Sequence, residues 1–117
     1  MQLTAFINKS KSSENISFDE TLSIIAEHYI YHPCCFHNGL GDDKIMNDAG
    51  SNEGSCKIFA FAKIHELTEA QTLNLFGDFY QKDVLNDPHG KGHQNIRNFM
   101  KYGWDGIVFE GVALTMK

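Results

Sequence analysis

Long apolar runs are missing. No stretch of the 117 residues approaches the roughly 18 that a membrane-spanning helix needs, so membrane insertion is not expected. Positive charge is scarce as well: ten Lys and Arg residues, with Arg97 the sole arginine, face fifteen Asp and Glu. The resulting net charge of −5 repels a phosphate backbone and argues against nucleic-acid binding. Cysteine is sparse and odd in number. Cys34, Cys35 and Cys56 include two sequence neighbours, which excludes the paired framework of a small disulfide-stapled domain and predicts free thiols. The first residues carry neither the basic start nor the apolar run of a signal peptide, so the expected compartment is a reducing bacterial cytoplasm. What remains is the length and 42% hydrophobic content of a single globular domain spanning 1–117.

Leu3, Phe6 and Ile7 share one helical face and predict a turn or two of helix. Residues 8–17 (NKSKSSENIS) follow as a flexible Ser- and Asn-rich leader, so 1–17 reads as short helix plus leader and 18–117 as the body. Such a leader also suits the compositional signals of type III secretion. Ser17 with Glu20 is a capping box, and Phe18, Leu22, Ile25, Tyr29 and Ile30 recur at helical spacing, predicting about four turns before Pro33. Residues 34–37 read as extended. Residues 38–54, punctuated by Gly39, Gly41, Gly50 and Gly54, read as one long loop, a length that inside a small domain points to function.

Cys56, Ile58, Phe59, Ala60, Phe61, Ala62 and Ile64 are apolar on nearly every side, which suits a central buried helix, since Ala and Lys are poor strand formers. Thr68 with Gln71 is a second capping box, opening a helix that carries Leu73, Phe76, Phe79, Tyr80 and Val84. After a turn at 87–90, residues 94–102 form a last helix with Ile96, Phe99 and Met100 inward, Gly103 closing it and Trp104 folded back. The β-rich tail from Ile107 to Leu114 has residues 34–37 as its best partner. The expected fold is α+β: four to five helices packed around a central apolar helix, with a small antiparallel sheet of the 34–37 region and the C-terminal strands.

Three constellations carry chemistry. The glycine-spaced loop ahead of the apolar helix presents unpaired amides at a helix start, a natural anion site to which Asn52, Gly54, Ser55 and Lys57 would contribute, joined by His93, Asn95 and Arg97. The competing reading is that Asn52 or Ser55 simply caps the helix. Cys56, near the same helix start, could be an activated thiol with His93 or His89 as base, against the reading that it is a core residue. His28, His32 and His37 lie near Cys34 and Cys35 with ligand types a metal could use, against partly exposed histidines with no common focus. No motif calls for a cofactor.

The runs Asn52-Glu53-Gly54-Ser55-Cys56-Lys57-Ile58-Phe59-Ala60-Phe61-Ala62, Thr72-Leu73-Asn74-Leu75-Phe76-Gly77, Asp83-Val84-Leu85 and His93-Gln94-Asn95-Ile96-Arg97-Asn98-Phe99-Met100, ending in Gly103-Trp104, resemble the HopJ family. The likeness extends from about Phe18 to the C-terminus and departs at Cys34-Cys35 and His37, where the family carries small or hydroxyl residues, and around Gly41 to Lys44, where this loop is longer. The family is named for a type III effector of plant-pathogenic bacteria, so the resemblance implies a virulence-associated protein exported into a host cell. It brings no catalytic residue with it. The expectation is therefore an effector that binds a small anionic ligand or a host or bacterial protein, the latter through exposed rings among Tyr31, Phe36, Tyr102 and Trp104. The alternatives are a Cys56-dependent hydrolase or transferase and a non-secreted cytoplasmic binding protein.

Overall fold

A computed structural model describes residues 2–12 and 14–117. Helix α1 (Leu3–Lys11) docks through Phe6, whose buried ring stands edge-on to Phe61 at 5.8 Å. It runs on through residues 8–11, into the stretch expected to be flexible. Two contacts hold that turn, one local and one to the helix that follows: the Ser10 hydroxyl donates to Ile7 O at 2.7 Å, and Lys9 reaches Glu20 at 2.9 Å. Met1 and Ser13, both part of the expected leader, lie outside the described residues.

Helix α2 (Phe18–His28) starts where the cap places it, with Ser17 Oγ accepting from the Glu20 amide at 3.0 Å. The Glu20 side chain does not close the capping box, because it is committed to Lys9. The helix has three turns rather than four. Tyr29–Tyr31 leaves it as strand β1 and pairs antiparallel with the C-terminal segment Leu114–Met116. Aromatic and β-branched side chains favour that outcome once a distant strand is present to receive them.

Strand β2 (Phe36–Asn38) is the middle of a three-stranded antiparallel sheet, between β3 (Ile45–Asn47) and β4 (Val108–Phe109). The expected pairing of the 34–37 region with the tail is thus present through β4, while β5 (Leu114–Met116) serves β1 instead. The 38–54 stretch is not a structureless loop: it contains β3 and a 3₁₀ turn at Gly41–Asp43.

Helix α3 (Glu53–Ile64) is the predicted central rod, burying Cys56, Ile58, Phe59, Ala60, Phe61 and Ala62. The Phe59 ring is its hub, with Phe36, Phe76, Phe99 and Trp104 centred 4.9 to 6.5 Å away. Helix α4 (Glu69–Asn74) carries the full Thr68–Gln71 capping box but ends early. At Gly77 the backbone turns left-handed (φ +61°), and a Cβ there would meet Phe18 N at 2.7 Å, so the helix breaks against the start of α2. The chain resumes as a π-helix at Phe79–Val84, which turns Phe79 outward instead of into the core stripe. Helix α5 (Gln94–Tyr102) and the Trp104 fold-back, edge-on to Phe99 at 5.0 Å, match expectation. Met100 does not: it is exposed, and the inward positions are Asn95, Ile96, Asn98 and Phe99.

Those inward asparagines belong to a buried amide network. Asn95 Nδ2 donates to Asn47 Oδ1 at 2.9 Å, and Asn47 Nδ2 returns to Asn95 Oδ1 at 3.2 Å. Asn38 Nδ2 donates to Asn95 O and Oδ1, and Asn98 Nδ2 to the main-chain oxygens of Asn38 and Asp43. Asn52 Nδ2 joins from α3, donating to Asn47 Oδ1 at 2.7 Å. Buried amides are costly unless paired, so loss of one member strands the others. Asn47→Ala should therefore cost about 3 kcal/mol in denaturant unfolding. A double-mutant cycle with Asn95→Ala should show clear non-additivity, and additive effects would mean the two amides act independently.

Candidate functional site

The N-termini of α3 and α5 open onto one cleft of about 480 Å³, walled by Phe18, Phe79 and Ile45. Both N-cap residues, Asn52 (φ 52°) and His93 (φ 56°), are left-handed, and neither side chain accepts from its own helix. An N-cap normally sits in the extended region and turns its oxygen onto the first amides. Here Asn52 donates into the amide network instead, and the His93 ring packs tilted against Phe79, centroids 5.0 Å apart, with Nε2 3.3 Å from Asp83. Neither Asn52 nor Ser55 therefore caps α3.

Five of the seven residues singled out for ligand binding line this cleft: Asn52, Gly54, Ser55, His93 and Asn95. Lys57 and Arg97 do not. Lys57 Nζ lies over the Tyr31 ring, 4.7 Å from its centroid, a cation–π contact on another face of α3. Arg97 is held internally, Nε donating to Gly92 O at 2.6 Å and Nη1 to Asp87 O at 2.7 Å, which ties the 87–92 turn to α5. Asn95 contributes its backbone, because its side chain belongs to the network. What the cleft offers an anion is thus the two helix N-termini. A larger open groove of about 770 Å³ lies on the other side of Phe18 and Phe79, where Lys9 and Glu20 neutralise each other.

Cys56 is buried at 1% exposure, with its thiol directed at Cys34 O, 3.9 Å away. Burial first, and Cys34 beside it second, push its pKa up to about 11. Desolvation here outweighs the helix-start effect that favours a thiolate. The side chains acting on it are Cys34 and Tyr31, and no histidine is among them.

The three candidate metal histidines do not converge. His32 bonds Thr115 Oγ1 at 2.9 Å and His28 sits 3.9 Å from Glu27, while His37 Nε2 meets Glu110 Oε1 at 3.1 Å. A different set does converge: one ligand atom each from Cys35, His37 and Glu110 lies within 4.8 Å of the other two. Alternation along β2 puts Cys35 and His37 on its outer face, and the β4 register brings Glu110 opposite Cys35, with Glu110 N donating to Cys35 O at 3.0 Å. The His37 hydrogen bond holds the Glu110 carboxyl below its usual range, and Glu110 in turn raises the Cys35 thiol. The Cys-x-His spacing was visible in the sequence. Glu110, some seventy residues on, becomes a partner only through strand pairing.

The four rings considered for a partner surface are dispersed. Phe36 is fully buried, Trp104 Nε1 donates to Leu67 O at 3.1 Å, Tyr102 donates to Asp43, and Tyr31 lies under Lys57.

The sequence profile described as HopJ type III effector protein matches residues 3–114. This chain belongs to the HopJ family. The match reaches further toward the N-terminus than the runs quoted above and takes in the whole of α1. The HopJ fold seen here is similar to the crystal structure of VPA0580, a protein of unknown function, at a TM-score of 0.94 and 47% identity, covering 100% of this chain and 95% of that one. No curated protein matches the sequence. Among the described residues, no helix of this HopJ member is long and apolar enough to cross a membrane.

With its thiol raised to about 11, Cys56 should label with iodoacetamide far more slowly than a free cysteine at pH 7.5. Its rate should climb about tenfold per pH unit below that value, because only the thiolate attacks. Rapid labelling of Cys56 in the folded protein at neutral pH would restore it as a candidate nucleophile.

Proposed function

We propose that this HopJ member acts by non-covalent binding, holding a small anionic ligand in the cleft between α3 and α5. The observation that carries this reading is the convergence of two helix N-termini, each with a left-handed N-cap whose side chain leaves the first amides uncapped, on one aromatic-walled cavity. The amides of Gly54, Ser55, Gln94 and Asn95 are the donors, and the His93 ring lines the cleft beside them. Phe18 and Phe79 accept the apolar part of the ligand. A covalent mechanism through Cys56 has less support, since that thiol is buried, raised to about 11 and, among the described residues, acted on by no histidine.

Titration of the ¹⁵N-labelled protein with inorganic phosphate should give saturable amide shifts confined to residues 53–55 and 93–96. His93→Asp places a carboxylate at the same point and should abolish them. Shifts scattered over the surface lysines, or identical in the variant, would remove the cleft as the binding site.

Family membership supports export through a type III apparatus as the protein's route. Because α1 is packed into the core through Phe6, deleting it would test folding rather than export. Residues 1–17 fused to a reporter enzyme should instead direct the reporter out of a strain carrying the apparatus. Retention of the reporter counts against a signal in this segment.

A further inference from the structure

We propose that Cys35, His37 and Glu110 form a binding site for one divalent cation of the zinc class, separate from the α3–α5 cleft. The three side chains supply a thiolate, an imidazole and a carboxylate, the ligand types such a borderline ion takes, and their combined charge of about −2 when bound balances it. Their placement follows from the backbone. Phe36, fully buried between Cys35 and His37, fixes the phase of β2, so both neighbours must face outward together. The Cys35–Glu110 backbone bond then locks the third ligand across from the first.

Reach is sufficient. Bonds of about 2.0 to 2.3 Å in a tetrahedral site place ligand atoms about 3.3 to 3.8 Å apart. His37 Nε2 and Glu110 Oε1 are already 3.1 Å apart, and no pair of the three ligand atoms exceeds 4.8 Å. The remaining closure falls to Glu110, whose side chain is 57% exposed, rather than to His37, at 13% side-chain exposure. On entry the cation replaces the His37–Glu110 hydrogen bond: the proton of that bond leaves Nε2, the neutral ring keeping its one proton on Nδ1, and the thiol proton of Cys35 leaves to solvent. Three protein ligands on an outer sheet face leave a fourth position open to water or to an incoming donor, the arrangement of sites that exchange ligands rather than purely structural ones.

The test uses the full-length protein under a non-thiol reductant. Calorimetry with Zn²⁺ should give one equivalent per chain, and Co²⁺ should give tetrahedral visible bands with a thiolate-to-cobalt charge-transfer band. Cys35→Ser should abolish that band, Glu110→Gln should weaken Zn²⁺ at least about tenfold, and Cys34→Ser and His93→Gln should leave both readouts unchanged. Circular dichroism of each variant confirms that the fold is intact, and Glu110 is exposed enough for its substitution to be borne. Uptake without saturation at one equivalent would overturn the proposal. So would a charge-transfer band that survives Cys35→Ser or disappears with Cys34→Ser, or Zn²⁺ affinity unchanged in Glu110→Gln. Neither result bears on phosphate binding in the cleft, so the two proposals fail independently.

Discussion

The reciprocal amide pair between Asn47 and Asn95 is the constraint on which the rest of the molecule turns. It joins the last residue of β3 to the second residue of α5 where water cannot substitute for either partner, so the two elements must meet in one register or leave buried amides bare. Asn38 and Asn98 extend the bond pattern into the sheet and the loop after it, and Asn52 extends it to the start of α3. The last link has a consequence for chemistry. An asparagine turned inward to complete the network cannot also cap its own helix, so the free amides at the mouth of the cleft are a by-product of how the core is tied.

Around that polar knot the packing is aromatic and organised by α3. Phe59 touches rings from the sheet, from the segment after α4, from α5 and from the turn beyond it, so one side chain reads the position of nearly every element. The runs by which the chain resembles its family include Phe59, Phe76, Phe99 and Trp104, together with Asn52, Asn95 and Asn98. They trace the scaffold and its amide network. The Cys35, His37 and Glu110 cluster stands outside those runs, on the opposite face of the sheet from Phe36, so its chemistry is added to the fold without altering what holds the fold up.

Much of this was legible in residue order where the controlling interactions are local. The buried character of α3, the Thr68 cap and the bounds of α5 all follow from side chains within a turn or two of one another. Failures occurred where a distant partner decided the outcome. Tyr29 and Ile30 fit a helical stripe until β5 offers them a strand, and β3 is invisible in a glycine-spaced loop until β2 lies beside it. Hydrophobicity alone points Met100 inward, yet the α5 face is chosen by Asn95 and Asn98, whose amides have buried partners. At the site, residue order leaves open whether Asn52 or Ser55 caps the start of α3, and the fates of Lys57 and Arg97 depend on Tyr31 and on the carbonyls of Gly92 and Asp87, which no spacing reveals.

The π-helix at Phe79–Val84 carries one residue more per turn than an α-helix of the same span, and that surplus is what swings Phe79 out to stand against Phe18 and His93. The same segment buries Val84 in the core, so its winding sets an aromatic wall of the cavity on one side and a core contact on the other.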